Sequence, residues 1–291
     1  MGRMVIAGLV SKPGLALSIM LLPWMATAHG TFHEMMDEMQ GELAQRPHDP
    51  ELLLRRAALE VEHGDWQAAM VDLEKAERTG TEDANLPFLR GRALAAGKMW
   101  TAARQAMDEF IATHPMAPLA RLERARVLTQ LGENKAALQD YRASLKLFPQ
   151  PEPDLVVEVT DALVAQSLTD EALQVVTDGV AKLGNVPQLV LKALELELAA
   201  RRYDEALSRV DSMAKMMPRP EPWLARRASV LAQAGRLDAS RAEWFHLRER
   251  ILALPNLERG SHAMSKLLDE ANTALVALSS PPTKTTPAAR P

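Results

Sequence analysis

Small side chains recur at a fixed interval along most of this 291-residue chain. The segment HGDWQAAMVDLEKA, residues 63–76, contains the first of them, and equivalent positions follow at steps of 34 residues. One residue is inserted at the proline-rich joint of residues 149–153, after which the step continues. The small residues of this column are Ala69, Ala103, Ala137, Ala172, Ala206 and Ser240. The recurrence predicts six units, at residues 50–83, 84–117, 118–151, 153–186, 187–220 and 221–254.

Amphipathic helices are predicted on either side of these units. Four apolar residues before them share one helical face: Phe32, Met36, Met39 and Leu43. They predict an N-terminal cap helix over residues 29–48. Residues 255–278 again place leucines and alanines opposite a polar face, which predicts a C-terminal capping helix. Residues 279–291 have no core-forming side chains, and we expect this tail to be disordered.

Two further columns of the register constrain the packing. One column holds mostly small residues: Ala57, Gly91, Ala125, Thr160, Leu194 and Ala228. Another holds bulky residues: Leu73, Met107, Tyr141, Val176, Val210 and Trp244. With the 34-residue period, these columns resemble the tetratricopeptide repeat. The resemblance implies an all-α fold, a right-handed superhelical solenoid of antiparallel helix pairs, with small side chains where the two helices of a pair cross.

The fourth unit departs most from this pattern. Thr160 and Gly179 replace the residues preferred in their columns, and Ser167 stands where the first unit has Gly64 in its turn. In the fifth unit, Leu194 is large for a column of small residues. We therefore expect a kink or local softening in the fourth unit and imperfect packing around Leu194.

Residues 1–28 have the pattern of a cleaved secretory signal peptide. Arg3 and Lys12 form a basic region, an apolar run extends from Leu15 to Met25, and small residues ending at Ala28 provide a cleavage site. The alternative is an uncleaved membrane anchor, but a run of 11 residues is shorter than the roughly 20 that a spanning helix needs. We predict a periplasmic or secreted protein with no stable membrane insertion after cleavage.

Charge and composition exclude several functional classes. The formal net charge is −4 and no block of Lys and Arg occurs, which argues against nucleic-acid binding. The absence of cysteine excludes disulfides, thiolate metal sites and cysteine nucleophiles. No GxSxG, HExxH, GxGxxG or P-loop pattern is present. We therefore predict a protein that is not an enzyme and that binds a protein or peptide partner.

The resemblance also implies where a partner would bind, because first helices line the concave groove in this family. The register assigns these apolar residues to the groove: Leu54, Phe88, Leu122, Val157 and Leu191. Beside them lie the basic pair Arg92 and Arg126 and the acidic pair Asp161 and Glu195. An elongated peptide or partner protein of opposite polarity would fit this arrangement. The alternative is that the four charges only solvate the surface.

The predicted mature N-terminus offers a second candidate function, copper binding. Cleavage after Ala28 would make His29 the first residue, so that its amine and imidazole, together with His33, would be available as metal ligands. Nearby methionine sulfurs suit Cu(I). The alternative is that these methionines fill a core and that the histidines are merely exposed. No other cofactor is predicted.

Overall fold

The computed structural model describes the backbone of residues 22–279 and the side chains of residues 32–279. Fifteen α-helices and no β-strand are present in this part of the chain, which confirms the all-α fold class. They are α1 (Leu22–Gln45), α2 (Pro50–Glu62), α3 (Trp66–Arg78), α4 (Leu86–Ala96), α5 (Trp100–Thr113), α6 (Pro118–Gln130), α7 (Asn134–Leu147), α8 (Pro153–Ala165), α9 (Thr169–Leu183), α10 (Pro187–Ala199), α11 (Tyr203–Met216), α12 (Glu221–Gln233), α13 (Leu237–Leu252), α14 (Asn256–Arg259) and α15 (His262–Ser279).

Twelve of these helices form six consecutive pairs, from α2 and α3 to α12 and α13. Each first helix has a proline at its first or second position. Proline is favoured there because it lacks the N–H group that a helix start would leave without a partner. In α2 the carboxylate of Asp49 additionally accepts hydrogen bonds from the backbone N–H groups of Glu51 and Leu52. Local sequence therefore fixes where the first helices begin.

The described helices belong to two compact units. The first unit ends at Gly132 and contains α1–α6, whereas the second begins at Glu133 and contains α7–α15. Within the first unit α2 packs beside α4, and α4 beside α6. Within the second unit α8 packs beside α10. These first helices are therefore neighbours within their units, so their equivalent faces lie side by side.

The small residues of the register are buried, as the sequence predicts. Every member of the Ala69 column is at most 2% exposed, and Leu73 in the bulky column is fully buried. The polar members are satisfied, since Ser240 donates a hydrogen bond to the carbonyl of Ala228 and Thr160 donates one to the carbonyl of Val156. Leu194 is also accommodated, with 3% of its surface exposed. The expected imperfect packing around Leu194 is therefore not observed.

Gly179, which the sequence marks as a weakness, has a packing role. A Cβ atom at this position would lie 2.7 Å from Cγ1 of Val156. Val156 is 1% exposed and lies on α8, the partner of α9. The glycine thus provides the space that Val156 fills, and the pair is closely packed at this point rather than softened.

A left-handed residue stands in the turn of every pair. Three of these residues are glycines, at Gly64, Gly132 and Gly235, with φ between 74° and 83°. The other three are Lys98, Ser167 and Arg201, with φ between 57° and 60°. Because a Cβ atom disfavours this conformation, the last three turns carry backbone strain.

The first helix begins earlier than the predicted cap helix of residues 29–48. α1 spans Leu22–Gln45, and so it includes residues assigned to the signal peptide. Pro23 does not prevent this start, because it stands in the first turn, where proline is tolerated. At the other end Leu43 is buried in one cluster with Leu52 and Leu53 of α2. Cleavage after Ala28 stays a prediction, and residues 1–21 lie outside the described part of the chain.

The C-terminal region forms two helices rather than the single helix predicted over residues 255–278. The short helix α14 is followed by Gly260 and then by α15, which packs against α13 and α12. α15 includes Ser279, assigned above to the tail, and residues 280–291 lie outside the described part. No helix between residues 22 and 279 is both long enough and apolar enough to span a membrane.

Candidate functional site

The acidic pair predicted for the groove lies on two neighbouring first helices of the second unit. Asp161 is on α8 and Glu195 is on α10, and Lys192 lies between them. The Nζ atom of Lys192 is 2.7 Å from Oδ1 of Asp161 and 3.2 Å from Oε2 of Glu195. These contacts show that equivalent faces of α8 and α10 adjoin. We call this surface, formed by Val157, Asp161, Val164, Leu191, Lys192 and Glu195, the α8–α10 face.

Apolar side chains are exposed on the α8–α10 face. Leu191 is 36% exposed and Val164 is 37% exposed, whereas Val157 is half-buried. The side chains of Asp161 and Glu195 are more open, at 54% and 66%. Residues spaced by three or four positions share one side of a helix, so the apolar and acidic side chains of α8 alternate along one line. The face therefore offers apolar contact and negative charge together.

Lys192 was not identified from the sequence, and it changes the charge of this face. Burial opposes the charged form of Lys192, but hydrogen bonds to Asp161 and Glu195 outweigh burial and raise the pKa of the ammonium above its ordinary value. The spacing of three residues between Lys192 and Glu195 was the available signal. The two carboxylates are thus partly neutralised, and their outer sides remain open to solvent.

The basic pair lies on α4 and α6 of the first unit. The guanidinium of Arg92 is 6.0 Å from the centre of the Phe88 ring and 3.9 Å from Oε1 of Glu62. Arg126 donates a hydrogen bond of 3.1 Å to Glu123. The contact between Arg92 on α4 and Glu62 on α2 shows that the two helices adjoin on this side as well. We call the surface of Phe88, Arg92 and Arg126 the α4–α6 face.

Two of the predicted groove residues are core residues instead. Leu54 is 5% exposed and Leu122 is 6% exposed. Leu54 belongs to the cluster that includes Leu43 of α1 and Leu53, because α1 packs on α2. The assignment of Leu54 and Leu122 to a ligand-facing surface therefore needs correction: a partner would find little of either side chain accessible.

Of the two predicted copper ligands, only His33 has its side chain in the described part of the chain. The side chain of His29 lies outside that part. His33 is exposed, and its ring makes an edge contact with Phe32, with ring centres 5.7 Å apart. Phe32 in turn stacks on His63, the residue that follows α2. Among the described residues no group of three or more His, Cys, Asp or Glu side chains is placed to hold a metal ion. Copper binding through His29 and His33 stays a prediction.

Comparison with known proteins agrees with the helix pairing. A family model described as tetratricopeptide repeat matches residues 88–150. No curated protein sequence matches significantly. The fold is similar to that in a structure of pilF from Pseudomonas aeruginosa, with a TM-score of 0.52, 17% identity, and coverage of 67% of this chain and 88% of the other. It is also similar to the C-terminal part of a TPR repeat-containing protein from Cytophaga hutchinsonii, with a TM-score of 0.51, 15% identity, and coverage of 89% and 93%.

The fold and the register together define a helical-repeat protein whose unit is a pair of α-helices. Residues 88–150 match the tetratricopeptide repeat model, and the paired helices of the described chain have the fold of tetratricopeptide repeat proteins.

Proposed function

We propose that this protein is a non-catalytic interaction scaffold of the cell envelope, which binds a peptide segment or partner protein on its first helices. The observation that carries the proposal is the α8–α10 face, where Leu191 and Val164 are exposed beside Asp161 and Glu195. Single exposed apolar residues are ordinary on protein surfaces. A combination of apolar and charged side chains on adjoining helices is what a peptide or helix needs for affinity and register.

The two units favour partner segments of opposite charge. The α4–α6 face carries Arg92 and Arg126 beside Phe88, so it suits an acidic segment with an apolar or aromatic residue. The α8–α10 face suits a basic segment, because Asp161 and Glu195 together outweigh Lys192. The predicted signal peptide of residues 1–28 supports placement of this activity in the envelope.

Charge reversal on the α4–α6 face tests the proposal. The variant Arg92→Glu/Arg126→Glu should co-purify its envelope partners at a level at least about tenfold below the wild type, because the partner would meet like charge. Quantitative mass spectrometry after crosslinking in the native envelope measures this loss. A variant of two second-helix arginines, Arg78→Glu/Arg104→Glu, is the matched control, since each of those also forms an ion pair with a carboxylate.

The control should retain the partners of the wild type. Thermal unfolding followed by circular dichroism establishes that all three proteins are folded. If the Arg92→Glu/Arg126→Glu variant captures the same partners in the same amounts as the control, the α4–α6 face is not the binding surface.

A further inference from the structure

An ion-pair ladder connects successive turns of the second unit. Arg202 Nη2 lies 2.8 Å from Oδ1 of Asp170, and Arg236 Nη2 lies 2.6 Å from Oδ1 of Asp204. Each arginine immediately precedes a second helix, and each aspartate lies in the first turn of the second helix before it. The next aspartate in this register is Asp238, in the first turn of α13. Within residues 32–279 no cation forms an ion pair with Asp238.

Within the described residues the ladder stops at Asp238, because α15 continues past the point at which a turn follows the other first helices. α15 packs against α13 and α12, as the first helix of a further pair would. It has 18 residues, compared with 13 in α12. The helix therefore continues where the first helices of the pairs end, and no turn arginine is placed beside Asp238. Within the described part, no second helix covers the outer side of α15.

A cleft of about 520 Å³ lies between α13 and α15, and Asp238 stands at its edge. Its other lining residues include Arg241, Phe245 and Arg248 of α13 and Leu275 of α15. Phe245 is 51% exposed, and the guanidinium of Arg248 is 4.7 Å from the centre of its ring. A half-exposed aromatic ring in a cleft beside a carboxylate without a cation is an incomplete contact surface.

An equivalent cleft between two earlier second helices shows which contacts the cleft beside Asp238 is missing. A cleft of about 590 Å³ between α9 and α11 has a wall formed by Asp170, Leu173, Gln174 and Thr177. These positions correspond in the register to Asp238, Arg241, Ala242 and Phe245. In the interior cleft the turn arginine of the following pair, Arg202, meets Asp170, and α11 forms the opposite wall. Among the described residues, the cleft between α13 and α15 has the register-equivalent first wall, again with an aspartate, but no following turn and no second helix opposite that wall.

We propose that the cleft between α13 and α15 docks a helix of a partner protein that carries an arginine just before its first turn. The guanidinium binds Asp238 and continues the ladder, while apolar side chains of the partner helix pack on Phe245 and Leu275. An exposed ion pair adds little binding energy but fixes orientation, so the aromatic contact supplies most of the affinity. The site is separate from the first-helix faces and does not depend on their function.

Charge argues against a second copy of this chain as the partner. In a head-to-tail stack, the first pair of the second copy would present its own turn to Asp238. The residue in that turn that corresponds to Arg202 and Arg236 is Asp65. Two carboxylates would then face each other, which disfavours the stack. The partner is therefore a different protein with a basic helix start.

A helical peptide from this chain serves as the probe. Residues 234–252 contain the turn arginine Arg236 and the whole of α13. A side-chain staple on the solvent side keeps the peptide helical. Fluorescence anisotropy measures its binding to the full chain. We expect binding to weaken about threefold with Asp238→Asn and about tenfold with Phe245→Ala. The control variant Asp269→Asn, on an exposed part of α15, should bind as the wild type does.

A charge swap gives the decisive comparison. A peptide with Arg236→Asp should bind the wild-type chain weakly, and it should regain affinity for the Asp238→Arg chain. Absence of binding, or binding that is insensitive to Asp238, would overturn the proposal. Residues 280–291 contain Lys284 and Arg290 and no carboxylate side chain, so they are a competing occupant. If the peptide binds only after their removal, the cleft belongs to the chain's own tail and the partner proposal fails.

Discussion

The first and fifth helix pairs place a glutamate at the same register position but give it different partners. Glu197 of α10 is 2% exposed, and both of its oxygens accept hydrogen bonds of 3.0 Å from Nε of Arg209 on α11. Glu60 of α2 is 7% exposed, but the position equivalent to Arg209 is occupied by Asp72. In four of the six units this first-helix position is leucine: Leu94, Leu128, Leu163 and Leu231. The two glutamates are therefore buried exceptions in an otherwise apolar column.

The first pair leaves its glutamate poorly compensated. Arg56 forms hydrogen bonds with both oxygens of Asp72, and its Nε atom is 3.7 Å from Oε1 of Glu60. The Oε2 atom of Glu60 is buried and has no hydrogen-bond partner in the described part of the chain. Burial, reinforced by the negative charge of Asp72, raises the pKa of Glu60 to about 7. Glutamate in this column is thus a hydrogen-bonded ion-pair partner in the fifth pair. In the first pair it has a raised pKa and a buried oxygen without a hydrogen bond.

The difference shows that the crossing of two helices tolerates charge only when the charges are balanced. In the fifth pair one glutamate meets one arginine. In the first pair two carboxylates, Glu60 and Asp72, share Arg56, with Lys75 reaching Asp72 from a more exposed side. Burying a charge without full compensation costs stability, whereas an apolar residue of similar size costs none. We therefore expect substitutions at the two crossings to change stability in opposite directions.

The largest effect is expected at the fifth pair. Arg209→Met removes the partner of Glu197 and leaves a buried carboxylate uncompensated, which should lower the free energy of unfolding by about 3–5 kcal/mol. Urea unfolding followed by circular dichroism measures the change. The double variant Arg209→Met/Glu197→Leu should recover most of the loss, because both charges are removed and leucine is the usual residue of this column. A single variant as stable as the wild type would show that the pair contributes nothing.

A smaller effect of opposite sign is expected at the first pair. The pKa of Glu60 is raised in the folded state, so the folded protein binds the proton more tightly than the unfolded chain does. Stability is therefore highest below the unfolded pKa and declines as pH rises through about 7, by about 2 kcal/mol in total between pH 5 and pH 8. Glu60→Gln should abolish this decline and make the protein more stable than the wild type at pH 8.

The neighbouring Glu62→Gln is the matched control for that measurement, because the Glu62 side chain is 59% exposed. Urea unfolding at pH 5, 6, 7 and 8 should give the same pH dependence for this variant as for the wild type. If Glu60→Gln also leaves the pH dependence unchanged, another group is responsible for it.

Sequence was sufficient for the architecture because each repeat folds on local rules. Small residues such as Ala69 and Ala206 mark the crossing in every unit, and they are buried in the structure. The charged contacts were harder to predict from the sequence, since the ion pair between Lys192 and Asp161 joins residues of different repeats. The burial of Leu54 depends on how α1 packs against α2, which a repeat pattern does not contain. Register predicts which positions are equivalent, but neighbours decide whether an equivalent side chain is buried, paired or exposed.

Substitutions in the turns of the same two pairs have the smallest expected effect on the free energy of unfolding. In the turns, unlike at the crossings, the first pair is the more favourable of the two. The first pair turns at Gly64, with φ of 83°, whereas the fifth pair turns at Arg201, with φ of 57°. Arg201→Gly should raise the free energy of unfolding by about 0.5–1 kcal/mol, because glycine relieves left-handed strain that exceeds its own entropic cost. Gly64→Ala should lower the free energy by a similar amount. No atom lies within 4 Å of a Cβ at Gly64, so the backbone alone would cause that loss.

Urea unfolding of both variants tests these expectations, and equal stability of Arg201→Gly and the wild type would mean that the Arg201 turn is unstrained. We therefore expect the fifth pair, whose buried glutamate is matched by an arginine, to have the less stable turn.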